Sequence, residues 1–248
     1  KMLGVPCYIG HATPITKSAY VGDDVESLLV GLLRECDYDI EAAEMGIVFI
    51  DEVDKIAKKG ANVSITRDVS GEGVQQALLK MVEGNTVGVP PQGGRKHPEQ
   101  PLIYLDTTNI LFISSGAFPG IEDIIRSRLG GTKIGFNVEH RNFKEKELIN
   151  YATPQDFKTY GLIPEFIGRF PVITHVNELT VDDLIRILTE PKNSLVSQYK
   201  ELFKMDGCEL TFCKDALSEI GKYANELGVG ARGLRNIMET IMMDFMFD

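Results

Sequence analysis

The chain has 248 residues, 43% of them hydrophobic and 25% charged, so it has the bulk for one large core or two ordinary ones and the composition of a folded protein. Its 36 acidic against 26 basic residues leave a formal net charge of −10, which argues against a surface that grips nucleic acid. The longest apolar runs, such as Ile47-Val48-Phe49-Ile50, are too short to span a bilayer, and no charged-then-apolar leader opens the chain, so no membrane partner is expected.

Lys1-Met2-Leu3 reads as the apolar end of a helix, so the chain is expected to be part of a longer product. Pro6 to Gly10 is short, β-prone and bounded by Pro and Gly, which predicts a buried strand. Asp23 and Glu26 have capping-box spacing ahead of a helix whose apolar face is Val25, Leu28, Leu29, Leu32, Leu33 and Cys36. Gly46 to Glu52 is a continuous apolar run closing in two acids, the pattern of a central parallel strand. A polar loop from Lys58 to Asn62 precedes a second helix with the stripe Val74, Ala77, Leu78, Met81 and Val82, and Gly84 stands at its C′ position. Residues 86 to 101 read as loop with a basic knot, Arg95-Lys96-His97, and the strand Ile110 to Ile113 then runs into Ser114-Ser115-Gly116. This alternation predicts an α/β fold, a parallel sheet flanked by helices with right-handed crossovers.

Past residue 177 the pattern becomes helical. Thr180 caps a helix containing Leu184, Ile187 and Leu188, Pro191 restarts another, and Asp215–Leu227 and Ala231–Phe247 give two more. Cys208 to Phe212 is the one strand candidate there. Two domains are expected, a large α/β domain over 1–177 and a small, mostly helical one over 178–248. Cys7, Cys36, Cys208 and Cys213 lack CxxC spacing, so neither a disulfide frame nor a zinc site is expected, and reduced thiols fit the cytoplasm or an organelle matrix.

In an open α/β sheet, ligands bind at the carboxyl ends of the strands, where Asp51 and Glu52 stand. An apolar strand closing in Asp-Glu is the Walker B arrangement: the first acid holds Mg²⁺ through its waters, and the second orients or deprotonates a water. The pattern is short, and two acids can also simply close a strand at the surface.

Longer blocks narrow the choice. Tyr20-Val21-Gly22-Asp23-Asp24-Val25-Glu26, Ile65 to Gln76, Pro90 to Pro98, Gly161 to Arg169 and Gly230 to Arg235 together resemble the AAA+ unfoldases of the ClpX family, which feed the ClpP peptidase. The resemblance runs in order from one end of the chain to the other. It implies ATP/ADP and Mg²⁺ as cofactors, a homo-hexameric ring, and protein substrates and adaptors as partners besides ClpP. It also implies Asp51 and Glu52 as the Walker B acids, Ser115 as a sensor-1 residue and Arg232 as the sensor-2 arginine. Arg169 would be the arginine finger that reaches a neighbouring subunit's nucleotide, a role suited to a planar, always-charged guanidinium. Tyr20 and Val21 would form the pore loop that grips polypeptide, with Ala19 where the family has Gly. Arg67 would lie in a second pore loop, Arg95, Lys96 and His97 would form a basic collar, and Ile134-Gly135-Phe136 would dock on ClpP.

By residue type alone, Tyr20 equally fits a core aromatic beside a turn and Arg169 a surface ion pair. Arg95-Lys96-His97 fits a solvated loop, and Ile134-Gly135-Phe136 a local hydrophobic anchor. The phosphate-binding pattern G-x-x-x-x-G-K-[ST] does not occur in the sequence. The resemblance places that loop upstream of Lys1, together with a zinc-binding module, so these residues alone are not expected to hydrolyse ATP. Two other classes compete with the unfoldase: a non-catalytic scaffold of AAA+ shape, and a nucleic-acid motor, which the acidic balance and the Tyr20-Val21-Gly22 loop disfavour.

Overall fold

The computed structural model describes residues 4–17, 25–58, 71–91, 101–130 and 148–246. The chain divides into two compact units, Lys1–His175 and Val176–Asp248. In the first, the order is β1 (Cys7–His11), α1 (Ala12–Lys17), α2 (Ser27–Glu35), α3 (Ile40–Glu44), β2 (Ile47–Asp51), a 3-10 turn (Val53–Ile56), α4 (Glu72–Val82), β3 (Thr86–Val89), β4 (Ile103–Asp106), β5 (Leu111–Ser114), α5 (Ile121–Leu129), a second 3-10 turn (Ile149–Tyr151), α6 (Pro154–Tyr160) and α7 (Pro164–Ile167).

The sheet has the order β1-β2-β5, all parallel, with Ile47 opposite both Cys7 and Leu111. The expected central strand is therefore found. Val48 and Ile50 are fully buried on one face, and Ile47 and Phe49 are half-buried on the other. Strand β1 departs from expectation: of its five residues only Gly10 is buried, and Ile9 is 62% exposed. It stands at the edge of the described sheet with β2 as its one neighbour, so its apolar residues are only partly covered.

Helix α2 buries every residue from Leu28 to Leu33. It starts at Ser27, with Glu26 at the N-cap making no side-chain cap bond, and Asp23 lies outside the described residues. Helix α4 carries the predicted stripe, with Val74, Leu78 and Met81 buried, and Gly84 takes φ +80° just past its end. Residues 86–101 are not all loop: Val87 pairs with Leu105 and Val89 with Ile103 in an antiparallel hairpin. Only two alternate apolar residues per strand mark it, and the Gly and Pro around them mask so short a pattern. The core joins Leu29, Leu32, Val48, Ile50, Ile56, Leu78 and Phe166, each worth about 1.5–3 kcal/mol on full burial.

The second unit contains α8 (Val181–Thr189), α9 (Leu195–Met205), α10 (Lys214–Glu226) and α11 (Gly230–Met246). Thr180 and Asp183 form a reciprocal capping box at the start of α8. Leu184, Leu188, Ile220, Ala224, Leu234, Ile237 and Met238 form a separate core. Two expectations are corrected. Helix α9 begins not at Pro191 but after Ser194, whose hydroxyl accepts from the Ser197 amide at 3.2 Å. Cys208 to Phe212 forms no strand; Leu210 and Phe212 pack on the helical core instead, because four amphipathic helices leave no sheet edge to extend.

A charged tie holds α5 to α6 in the first unit. Asp156 is 1% exposed and accepts from Arg128 Nε at 2.7 Å and Nη2 at 3.0 Å, and also from Thr153 N and Oγ1, each at 2.8 Å. Burial alone would raise this carboxyl, but the bonds from Arg128 and Thr153 outweigh it and hold Asp156 below its ordinary 3.8. A depressed carboxylate stabilises the fold above its unfolded value and stops doing so as pH falls through the folded one. Asp156→Ala should therefore cost about 1–3 kcal/mol near neutral pH, since it removes a helix cap and the charged bonds of Arg128, which is one-third exposed and keeps its bond to Tyr151 O. Urea unfolding should show that gap narrowing as pH is lowered below about 4, and a gap unchanged at acid pH would contradict the ionic account.

Candidate functional site

Three parallel strands end at one edge, and the polar residues of that edge follow from the register. His11 lies opposite Asp51, and the Ser115 amide donates to Ile50 O at 2.9 Å, just past the last β5 pair. The Val53 amide then donates to Ser115 O at 2.9 Å, so β2 and β5 stay joined one step beyond the sheet. Ser115 Oγ thereby comes within 2.6 Å of Asp51 Oδ1, which also accepts the Glu52 amide at 2.8 Å. Two donors on one oxygen fix the carboxylate's rotamer.

Glu52 has φ 61° and ψ 34°, a left-handed conformation that a side chain bearing Cβ adopts at a cost of about 1–2 kcal/mol. The kink sends the chain from β2 directly into the 3-10 turn, and it persists because Val53 and Ile56 are fully buried on the far side. Glu52 Oε2 accepts a short hydrogen bond from Thr13 Oγ1 on the first turn of α1, and α1 packs against the 3-10 turn. Two neighbouring carboxylates are thus held by different partners, Asp51 by β5 and Glu52 by α1. Both are half-buried, open enough to meet a ligand.

Next along the turn, Asp54 is 6% exposed and pairs with Lys55 at 3.0 Å. The Asp54 hydrogen bond and charge raise the Lys55 ammonium above its ordinary value. Gly116 follows Ser115 where a Cβ would stand 2.7 Å from Asp54 Oδ1 and 3.0 Å from Asp54 N. The loop that carries Ser115 therefore packs directly on the turn that follows Glu52.

Carboxylate oxygens suit a hard cation. No group of three or more His, Cys, Asp and Glu among the described residues is arranged to enclose one. A donor set of one or two carboxylates fits Mg²⁺, which keeps several waters and takes its other ligands from phosphates.

Arg169 stands just after α7, between the buried Phe166 and the half-buried Phe170, and its Nη2 donates to Glu83 Oε1 at 3.1 Å. Arg232 lies on the first turn of α11 in the second unit, exposed and without an ion pair among the described residues. Tyr20, Val21, Arg67, Arg95, Lys96, His97, Ile134, Gly135 and Phe136 lie outside the described residues. The structure thus brings together Asp51, Glu52 and Ser115. Thr13 and Glu83 were not anticipated from sequence, because nothing local marks a hydroxyl 39 residues from its acceptor or a carboxylate 86 residues from its cation.

An α/β unit with an Asp-Glu pair at the carboxyl edge of its parallel sheet, followed by a small helical unit, defines an AAA-type domain pair. The chain belongs to the AAA family: residues 12–173 match the AAA domain (Cdc48 subfamily). Residues 179–248 match the C-terminal, D2-small domain, of ClpB protein. The resemblance to ClpX is borne out along the whole chain. It is 54% identical over 249 residues to the ATP-dependent Clp protease ATP-binding subunit ClpX of Porphyromonas gingivalis, covering 100% of this chain and 61% of that protein. The Bacteroides fragilis ClpX is 55% identical over 250 residues, covering 100% and 60%, and the Treponema denticola ClpX 53% over 247 residues, covering 98% and 60%. The chain thus spans about three-fifths of the length of these relatives. Among the described residues no helix is long and apolar enough to cross a membrane.

The contact at Gly116 makes a direct test of the site's packing. Gly116→Ala should destabilise the first unit by about 1–3 kcal/mol, because the new methyl meets backbone as well as a carboxylate and cannot be accommodated by one rotamer change. Chemical denaturation measures the loss, and an unchanged midpoint would mean that the Ser115 loop is free to move off the turn.

Proposed function

We propose that this chain is the working core of an ATP-dependent protein unfoldase that acts as a homo-hexameric ring and passes its substrates, some brought by adaptors, to the ClpP peptidase. The observation that supports this best is the Asp51–Glu52 pair, each carboxylate held by its own hydroxyl at the edge of a parallel sheet. A scaffold without catalysis has no use for a left-handed Glu52 or for two separately oriented acids, and no observation favours that reading.

In this reading the bound Mg²⁺ and ATP supply the electrophilic phosphoryl group. Asp51 would hold the cation, and the Ser115 and Glu52 donors on its Oδ1 keep the carboxylate from turning away. The Glu52 carboxylate orients the attacking water and accepts its proton, and Thr13 fixes where that carboxylate points. Arg169 would complete a neighbouring subunit's site, and Arg232, in the small domain over 178–248 that follows the large one over 1–177, would be the sensor-2 arginine that answers to bound nucleotide. Tyr20 and Val21, with Arg67 and the Arg95-Lys96-His97 collar, would hold the translocating polypeptide. An exposed aromatic offers a large contact area to any sequence that passes it. Ile134, Gly135 and Phe136 would carry the contact to ClpP.

The direct test is Glu52→Gln in the intact protein. The amide keeps size and shape but accepts no proton, so ATP binding and ring assembly should persist while turnover falls by about 10²–10⁴-fold. Steady-state turnover within a few-fold of the unaltered protein would remove Glu52 from the role of base.

A second test separates the motor from its partner. Phe136→Ala removes one apolar side chain whose burial in a partner cleft contributes about 1.5–3 kcal/mol before ordering costs, and six such loops on a ring multiply the loss through avidity. Degradation through ClpP should fail while ATP turnover and unfolding of a tagged substrate continue. Continued degradation with Phe136 and Ile134 both replaced by Ala would refute the docking role.

A further inference from the structure

Arg169 meets an anion within its own subunit, and the frame that brings the two together is rigid. Phe166 is 1% exposed, its ring lies 5.0 Å from that of Phe170, and the Arg169 amide donates to Phe166 O at 3.1 Å. The arginine's backbone is therefore anchored on both sides. Glu83 sits at the C-cap of α4, and α4 is pinned at its other end by Gln75, which is fully buried. Gln75 Nε2 donates to Ile56 O at 2.8 Å and Gly161 O at 3.3 Å, while Oε1 accepts from Ile163 N at 2.7 Å. The Lys58 amide also donates to Gly161 O, at 2.9 Å. The elbow that feeds α7, and with it Arg169, is thus stitched to the same helix that presents Glu83.

We propose that Glu83 is a positioning residue for Arg169: it holds the guanidinium by charge until the phosphates of a neighbouring subunit's nucleotide compete it away. The proposal rests on the reading of Arg169 as the group that reaches those phosphates. A carboxylate at a helix C-terminus is disfavoured by the helix dipole, so Glu83 on α4 needs a facing cation, and Arg169 is its ion-pair partner among the described residues. The pair is open to water, with side chains 48% and 35% exposed. An ion pair so placed is weak enough to break. A polyphosphate carries more charge and matches the planar fork at least as well, so it wins the guanidinium once it is present. A fully buried pair would lock the arginine, and no pair at all would leave a long side chain to be ordered at every engagement.

Giving up Glu83 then sets part of the ATP concentration at which the ring works. In the intact protein, Glu83→Gln removes the charge and keeps the shape. The half-saturating ATP concentration should fall by about two- to five-fold, the range of an exposed pair, with kcat within about two-fold of the unaltered protein. The difference should shrink at about 0.5 M salt, where exposed charges are screened. Glu83→Asp should keep most of the original half-saturation. In an Arg169→Ala background, Glu83→Gln should alter ATP affinity, read by calorimetry, no further. The proposal is overturned if Glu83→Gln leaves half-saturation unchanged and only lowers the unfolding temperature, or if its effect survives in the Arg169→Ala background; either result makes the pair a staple between α4 and α7. An Arg169→Ala ring that turns over ATP like the unaltered protein overturns the reading of Arg169 itself, and the proposal with it.

Discussion

The site depends on one constraint, the hydrogen bonding that continues between β2 and β5 past the last residue of each strand. A parallel ladder leaves its terminal amides and carbonyls to be paired elsewhere. Here the Ser115 amide takes Ile50 O and the Val53 amide takes Ser115 O, each at 2.9 Å. Those two bonds fix where β2 turns, and so force Glu52 into its left-handed conformation. They also bring the Ser115 hydroxyl onto Asp51. Had the strands parted one residue earlier, the acids would still close an apolar strand, but neither would have a set direction.

That constraint separates what could be read along the chain from what could not. The central strand was legible because Ile47 to Ile50 is apolar on every residue, as only a strand covered on both faces needs to be. Helix α4 was legible because its stripe repeats at helical spacing. The hairpin of β3 and β4 was not, since each strand offers two alternating residues and the neighbouring Pro and Gly argue for loop. Cys208 to Phe212 failed in the opposite direction. Its alternation is real, but Leu210 and Phe212 satisfy it by packing on helices.

The site divides in the same way. Asp51 and Glu52 announce themselves because the apolar run ends on them. Thr13 does not, because its role exists only once β1 is in register with β2 and α1 folds back over the turn. Gln75 is harder still: it lies inside an apolar stripe, where composition predicts another Leu or Val. Its three bonds to backbone at Ile56, Gly161 and Ile163 span up to 88 residues of sequence. Polar groups whose partners are remote leave no periodic trace.

Gln75 also shows why such a group belongs in this core. The chain segments it joins, the end of the 3-10 turn after Glu52 and the elbow before Arg169, are both irregular, so each leaves backbone groups without ladder partners. A leucine at position 75 would fill the space but take the partner from the Ile56 carbonyl and the Ile163 amide, each costing about 1–3 kcal/mol when buried, while the Gly161 carbonyl would keep the Lys58 amide. An amide side chain is the smallest group that donates twice and accepts once in one place. The segment that follows Glu52 and the segment that precedes Arg169 are therefore joined by side-chain hydrogen bonds and not by packing alone. Packing tolerates sliding, whereas hydrogen bonds of 2.7 and 2.8 Å do not. Any shift of the turn that follows Glu52 must either move the elbow with it or break these bonds. Within the first unit Glu52 and Arg169, the residues proposed to serve a subunit's own nucleotide and its neighbour's, are held to a common frame.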